Sequence, residues 1–234
     1  MPVQPGSFGA WLRTLPLKPG RPDVLLHDGT PKGNQRAQHA VVDIDVGKQN
    51  LQQCADAVMR LHAEYLFATK LYAAIHFRFT SGDDARWLAY AEGQRPIITK
   101  NRVRFTKNAA ATAKDDYKSF RAYLDLVFTY AGSASLEKEL TPVPALKEIE
   151  PGDVLIQPGF PGHAVLVVDV CTSQETSDRA FLIAQSYMPA QDVHVLVNPN
   201  DEPFSPWYST NVSAKIETPE WTFDPKHLKR FVNT

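Results

Sequence analysis

Cys54, His163 and Gln185 are the residues of this chain whose types and spacing could do chemistry together. A thiol hydrolase needs a sulfur nucleophile, an imidazole within hydrogen-bond reach to move its proton, and a polar group that fixes the imidazole. Cys54 falls near the start of the most clearly periodic helical stretch, directly after Gln52 and Gln53. The dipole and free N–H groups of a helix N-terminus favour a thiolate there. The backbone N–H of Cys54, helped by Gln53 or Gln52, can bind an oxyanion. Periodicity alone also places Cys54 on an apolar stripe with Leu51, Ala55 and Val58, where a free cysteine is an ordinary core residue. His163 tips the balance. It follows the turn Gly159-Phe160-Pro161-Gly162 and heads the apolar strand 164–170, a poor place for simple packing and a good one for presenting a ring to a cleft. Gln185 ends the next strand, so pairing of the two strands through the 171–180 loop brings 163 and 185 together on one face. An amide there can accept the ring N–H, set the tautomer and leave the other nitrogen as base. Alone, a strand-end glutamine is simply exposed.

Other constellations are weaker. His39, Asp43 and Asp45 share one strand face by two-residue alternation and could hold a metal for an assisted hydrolysis. Strand-end carboxylates more commonly lie in solvent. His76 near Ser81 hints at a second polar cluster without a specific pattern. The basic stretch from Arg95 to Lys107 has only Phe105 to stack on a base, which reads as a solvated insertion and not a nucleic-acid surface. Asn211-Val212-Ser213 has the form of a glycosylation acceptor. The aromatic pairs Trp207-Tyr208 and Trp221-Phe223 belong by default to the core or its rim, and can line a groove.

Two helices and a cluster of strands must position these groups. Apolar residues spaced at three and four predict a helix over 51–69 and a second over 117–130. β-branched runs predict strands over 39–46 and 75–80, with a helical piece over 83–90. Four strands, 154–157, 164–170, 180–185 and 193–197, follow in close succession and predict an antiparallel meander or small barrel. Residues 1–35 form a Pro/Gly-rich arm whose Phe8, Trp11, Leu12, Leu15 and Leu17 need burial, with Ser7 as a helix N-cap. The reading is α+β, one domain over 1–234, with an insertion at about 70–150 and the sheet region at 151–200.

Composition narrows the function classes. With 43% hydrophobic residues in 234, the chain can bury a sizeable core without staples. A net charge of -1 gives no overall attraction to nucleic acid or anionic membrane. No apolar run approaches the roughly 20 residues that span a bilayer. Cys54 and Cys171 are the two cysteines; their surroundings point to different roles, so no disulfide is expected. The first residues lack the charged-then-apolar pattern of a signal peptide, which implies the cytoplasm, or a periplasmic or secreted protein if a leader has been removed.

Glu150-Pro151-Gly152-Asp153-Val154-Leu155-Ile156 followed by Gly162-His163-Ala164-Val165-Leu166-Val167-Val168 resembles the signature of the NlpC-type papain-like cell-wall peptidases and their CHAP relatives. The resemblance implies a papain-like fold, with a nucleophile helix packed on a small antiparallel sheet or barrel. It implies Cys54, His163 and Gln185 as catalytic residues, Gln53 and Gln52 beside the oxyanion, and no cofactor. A peptide or peptidoglycan-like substrate would lose an amide bond. Gln53-Cys54-Ala55 replaces the Asp-Cys-Ser usual at that nucleophile, and the long gap to His163 requires a cap or edge insertion. A non-catalytic module binding peptide or glycan in the same groove is the alternative. More closely, the chain resembles the bacterial domain-of-unknown-function family 4846. That likeness is carried by Trp11-Leu12-Arg13, residues 51–61, Gly159-Phe160-Pro161-Gly162-His163-Ala164 and residues 184–191, and it spans nearly the whole length.

Overall fold

The apolar runs of the C-terminal half pair into one antiparallel sheet in a computed structural model that describes residues 2–100, 102–108, 116–174, 178–211 and 215–232. Its strands are β1 (Gln38–Val41), β2 (Leu140–Pro142), β3 (Val154–Gln157), β4 (His163–Thr172), β5 (Arg179–Gln185), β6 (His194–Leu196), β7 (Tyr208–Ser209) and β8 (Leu228–Phe231). They lie in the order β1-β6-β5-β4-β3-β8-β2, with β7 also paired to β5. The four consecutive strands β3 to β6 are neighbours in sequence order, the expected meander.

These strands read as nearly continuous apolar runs because both faces of the sheet are covered. Val154, Ile156, Ala164, Leu166, Ala184 and Val195 join the core under the helices. Leu155, Val165, Val167, Phe181, Ile183 and Leu196 join a second core, closed by Tyr208, Ile216 and Phe223. The helical face carries α1 (Phe8–Leu12), α2 (Cys54–Ala68), α3 (Trp87–Ala91), α4 (Tyr117–Tyr130) and α5 (Ser133–Glu139). Ser7 caps α1 by accepting from the Ala10 N–H at 3.2 Å, as its position suggests. The fold is α+β with a mainly antiparallel sheet.

Several expectations shift. The first strand ends at Val41, and Asp43 and Asp45 lie beyond it. Of the expected 83–90 helix only 87–90 is helical, within Trp87–Ala91, because Asp84–Arg86 pairs with His76–Arg78 as a hairpin. The basic stretch is a hairpin too, Gln94–Thr99 against Arg102–Lys107. Its alternation explains this: Val103 and Phe105 pack on the core while the intervening arginines face out. Helix α5 went unpredicted; Ser133–Glu139 has one large apolar residue, Leu136, which is fully buried. Of the glycosylation-type motif, Val212 and Ser213 lie outside the described residues. Among the described residues no helix is long and apolar enough to cross a membrane.

Candidate functional site

Cys54 is the first residue of α2, a full turn nearer the N-terminus than the apolar pattern indicated. The helix starts there because Gln53 adopts an extended backbone and donates its N–H to Asp56 Oδ2 at 3.0 Å, closing the first turn. The Cys54 sulfur is partly buried, and the backbone N–H groups of Ala55 and Ala164 lie near enough to favour its charged form. Burial outweighs those donors and pushes the thiol above its ordinary value, so the environment favours the thiol over the thiolate. That corrects the depressed value a helix N-terminus alone would confer. Both cysteines are free.

His163 opens β4 and is 1% exposed. Gly162 before it is obligatory. A Cβ there would stand 2.5 Å from Ser133 Oγ and 2.6 Å from the Gly159 carbonyl oxygen, so only glycine lets the chain turn into the strand at this point. Nε2 of His163 lies 2.8 Å from Gln185 Oε1, which joins the two predicted partners directly. Both belong to the sheet face carrying Val165 and Ile183, opposite the face that α2 covers. The link from the sulfur to this strand is through the Ala164 backbone N–H, one residue after His163. Among the described residues no hydrogen bond joins Cys54 to the His163 ring, and Nδ1 of that ring has no partner.

Aromatic rings surround the imidazole. Tyr187, Trp221 and Phe223 have centroids 4.7, 5.3 and 5.8 Å from it. Tyr187 packs beside His163, and its phenol is raised first by burial and then by the charge of Glu220. Burial lowers His163 to about 4, partly offset by Gln185 and Glu220, so the ring is neutral at physiological pH.

Behind Gln185 lies a buried polar network that sequence reading missed. Gln185 Nε2 donates to Glu220 Oε2 at 2.7 Å, and Lys32 Nζ reaches the same oxygen at 2.5 Å. Asn34 Nδ2 donates to Glu220 Oε1 at 3.2 Å. His194 Nε2 stands 3.4 Å from both Lys32 Nζ and Gln185 Nε2, while its Nδ1 is 2.9 Å from the Asp192 carbonyl. Burial lowers His194 to about 4 as well. Lys32 comes from the Pro/Gly-rich arm and Glu220 from the hairpin of Ile216–Glu217 and Thr222–Phe223, so no local pattern could have linked them.

The two expected oxyanion residues differ. Gln52 is 1% exposed; its Oε1 accepts from Arg60 Nη1 at 2.5 Å, and its Nε2 donates to no described group. Gln53 is the N-cap residue of α2, and its Nε2 donates to Asn50 Oδ1 at 3.3 Å. Ser186, just after Gln185, donates to the Gln52 carbonyl at 2.9 Å and ties that segment to the start of α2.

Other candidates resolve into structural roles. Asp45 pairs with Arg60 at 3.2 Å and Arg121 at 3.7 Å, His39 and Asp43 are exposed, and no group of three ligating side chains suited to a metal occurs among the described residues. His76 pairs with Asp84 at 3.0 Å. The Pro151-Gly152-Asp153 element builds a turn: Asp153 takes Arg230 Nε at 2.6 Å and the Glu150 N–H at 2.8 Å. A cavity of about 710 Å³ lies elsewhere, lined by His62, Leu66, Phe77, Leu136 and Phe231, and neither Cys54 nor His163 borders it.

No curated protein and no solved structure matches the chain. The model of one family, described as domain of unknown function (4846), covers residues 1–230, and the chain belongs to that family.

Proposed function

We propose that the protein is a cysteine hydrolase that cleaves an amide bond, in cell-wall peptide or a related peptide, on a papain-like arrangement of nucleophile helix and sheet. One observation carries the reading. A thiol at the first position of a helix abuts the Ala164 N–H, and the preceding residue, His163, is a neutral imidazole held by Gln185 at 2.8 Å. In this mechanism Nδ1 of His163 takes the Cys54 proton as the sulfur attacks the substrate carbonyl. It then returns the proton to the leaving amine, and water hydrolyses the thioester by the same relay. The oxyanion is met by the N–H of Cys54 at the start of α2, with Gln53 and Gln52 beside it. Exposed Phe160 and Met188, on the loops before His163 and after Gln185, offer apolar surface to a peptide.

The missing hydrogen bond between sulfur and ring favours a second reading, a binding module that retains the groove without turnover. Catalytic contacts that are long in a free enzyme tighten in the substrate complex, so the first reading stands ahead. The two separate by incubating the protein with purified peptidoglycan and with its stem peptides and following released amines. Release that disappears in Cys54→Ala and His163→Ala supports hydrolysis. Tight binding of the same peptides without release, unchanged in Cys54→Ala, supports the module.

A further inference from the structure

We infer that Glu220, clamped by Lys32, is a positioning residue that fixes the orientation of the Gln185 amide and thereby keeps the His163 proton on Nε2, leaving Nδ1 as the ring's acceptor. A carboxylate can only accept, so the Gln185 group 2.7 Å from Glu220 Oε2 is its NH2. The Gln185 oxygen must then face His163, 2.8 Å from Nε2, and an oxygen facing a neutral imidazole nitrogen requires that nitrogen to carry the hydrogen.

His194 adds a longer and weaker contact that favours the same orientation but does not hold it alone. The Asp192 carbonyl 2.9 Å from Nδ1 also only accepts, so His194 carries its hydrogen on Nδ1 and presents a bare Nε2. That lone pair lies 3.4 Å from Gln185 Nε2 and 3.4 Å from Lys32 Nζ. Turning the Gln185 amide over would set its oxygen against both a carboxylate and a lone pair, and would leave its NH2 facing the His163 hydrogen. Lys32 supplies the countercharge to the Glu220 carboxylate in a place where both side chains are only slightly exposed. The groups around His163 are thus Gln185 and Tyr187 from the β5 end, Trp221, Phe223 and Glu220 from the hairpin of 216–223, and Lys32 from the arm.

This inference rests on the hydrolase reading only for its catalytic meaning; the tautomer is a property of the resting protein. Its test is long-range proton–nitrogen correlation on the full chain carrying nitrogen-15 histidine, which reports which ring nitrogen is protonated. Wild type should show His163 as a single Nε2-protonated tautomer. Glu220→Gln keeps an accepting oxygen and should preserve that tautomer, with the protonation midpoint of His163 falling because the negative charge is gone. Glu220→Met should release the amide and give a mixture of tautomers or the Nδ1-protonated form. Lys32→Met/Glu220→Met removes both charges together, avoids a lone buried ammonium, and should give the same loss of a single tautomer. An Nδ1-protonated wild type, or an unchanged tautomer in both methionine variants, overturns the inference. Alkylation of Cys54, followed in parallel, separates the two ideas. If the tautomer switches while Cys54 reacts as before, the positioning role stands and the hydrolase reading falls.

Discussion

Removing the His163 ring should change the reactivity of a sulfur with which it shares no hydrogen bond in the resting protein, and the size of that change can be worked out. An ordinary thiol with a pKa of 9.0 is about 1% thiolate at pH 7, and each further unit costs another tenfold, about 1.4 kcal/mol. Burial raises Cys54 above that ordinary value, so its unaided thiolate fraction is smaller still. Cys171, also partly buried, provides an internal reference. General-base assistance contributes at least about 10²-fold, roughly 2.7 kcal/mol, so Cys54 in wild type should outpace its own thiolate fraction by that factor. Timed iodoacetamide pulses between pH 5 and 9, with peptide mass spectrometry, give the two rates separately. With His163 neutral above about 4, the Cys54 rate should be nearly flat from pH 5 to 8. An unassisted thiol rises tenfold per pH unit over the same range. His163→Ala should lower the Cys54 rate at pH 7 about 100-fold, restore the tenfold slope and leave Cys171 untouched. A wild-type slope of one, together with a change of less than threefold in His163→Ala, would falsify the base assignment.

Two stability predictions follow from other buried groups. His62 stacks on Phe231 with centroids 3.8 Å apart, and neither ring nitrogen has a described partner. Burial lowers it to about 3, below its unfolded value of 6.5, so stability is present above 6.5 and is lost as pH falls toward 3. His62→Phe should keep the stack and remove about 2 kcal/mol of the loss between pH 7 and pH 5. Urea midpoints at the two pH values check this, and an unchanged difference would count against it. Asp56 is shifted the other way. Burial raises it to about 8, against the lowering N–H of Gln53, so stability falls as pH rises from 3.8 toward 8. Asp56→Asn still offers Gln53 an acceptor, and should stabilise the protein at pH 7 by about 1–3 kcal/mol after allowance for the helix dipole, with no gain at pH 4. Destabilisation at pH 7 would mean that the carboxylate is charged and welcome there.

Local pattern was a reliable guide wherever burial was periodic. The helix 117–130 and the strand 154–157 lie where apolar spacing put them, because one stripe or two faces of each element are buried. It faltered where few apolar residues mark an element. Ser133–Glu139 carries one, and the 94–107 hairpin hides Val103 and Phe105 among arginines. The pairing of His163 with Gln185 was legible because antiparallel register across a short loop is a local geometric consequence of two neighbouring strands. Pro151-Gly152-Asp153 stood out in the sequence, and in the fold its Asp153 serves a turn and Arg230.

From the order of its residues alone, this protein specifies an α+β chain with a helix-borne cysteine, a strand-borne histidine and a glutamine on the next strand. Tertiary structure decided the rest: that the sulfur lies against the Ala164 N–H, that burial raises the thiol and lowers the imidazole, and that Lys32, Glu220 and His194 close around Gln185. The physical reason is range. Hydrophobic periodicity and strand pairing act over a few residues or one short loop, whereas desolvation and buried polar contacts depend on segments as far apart as 32 and 220 meeting in the folded protein.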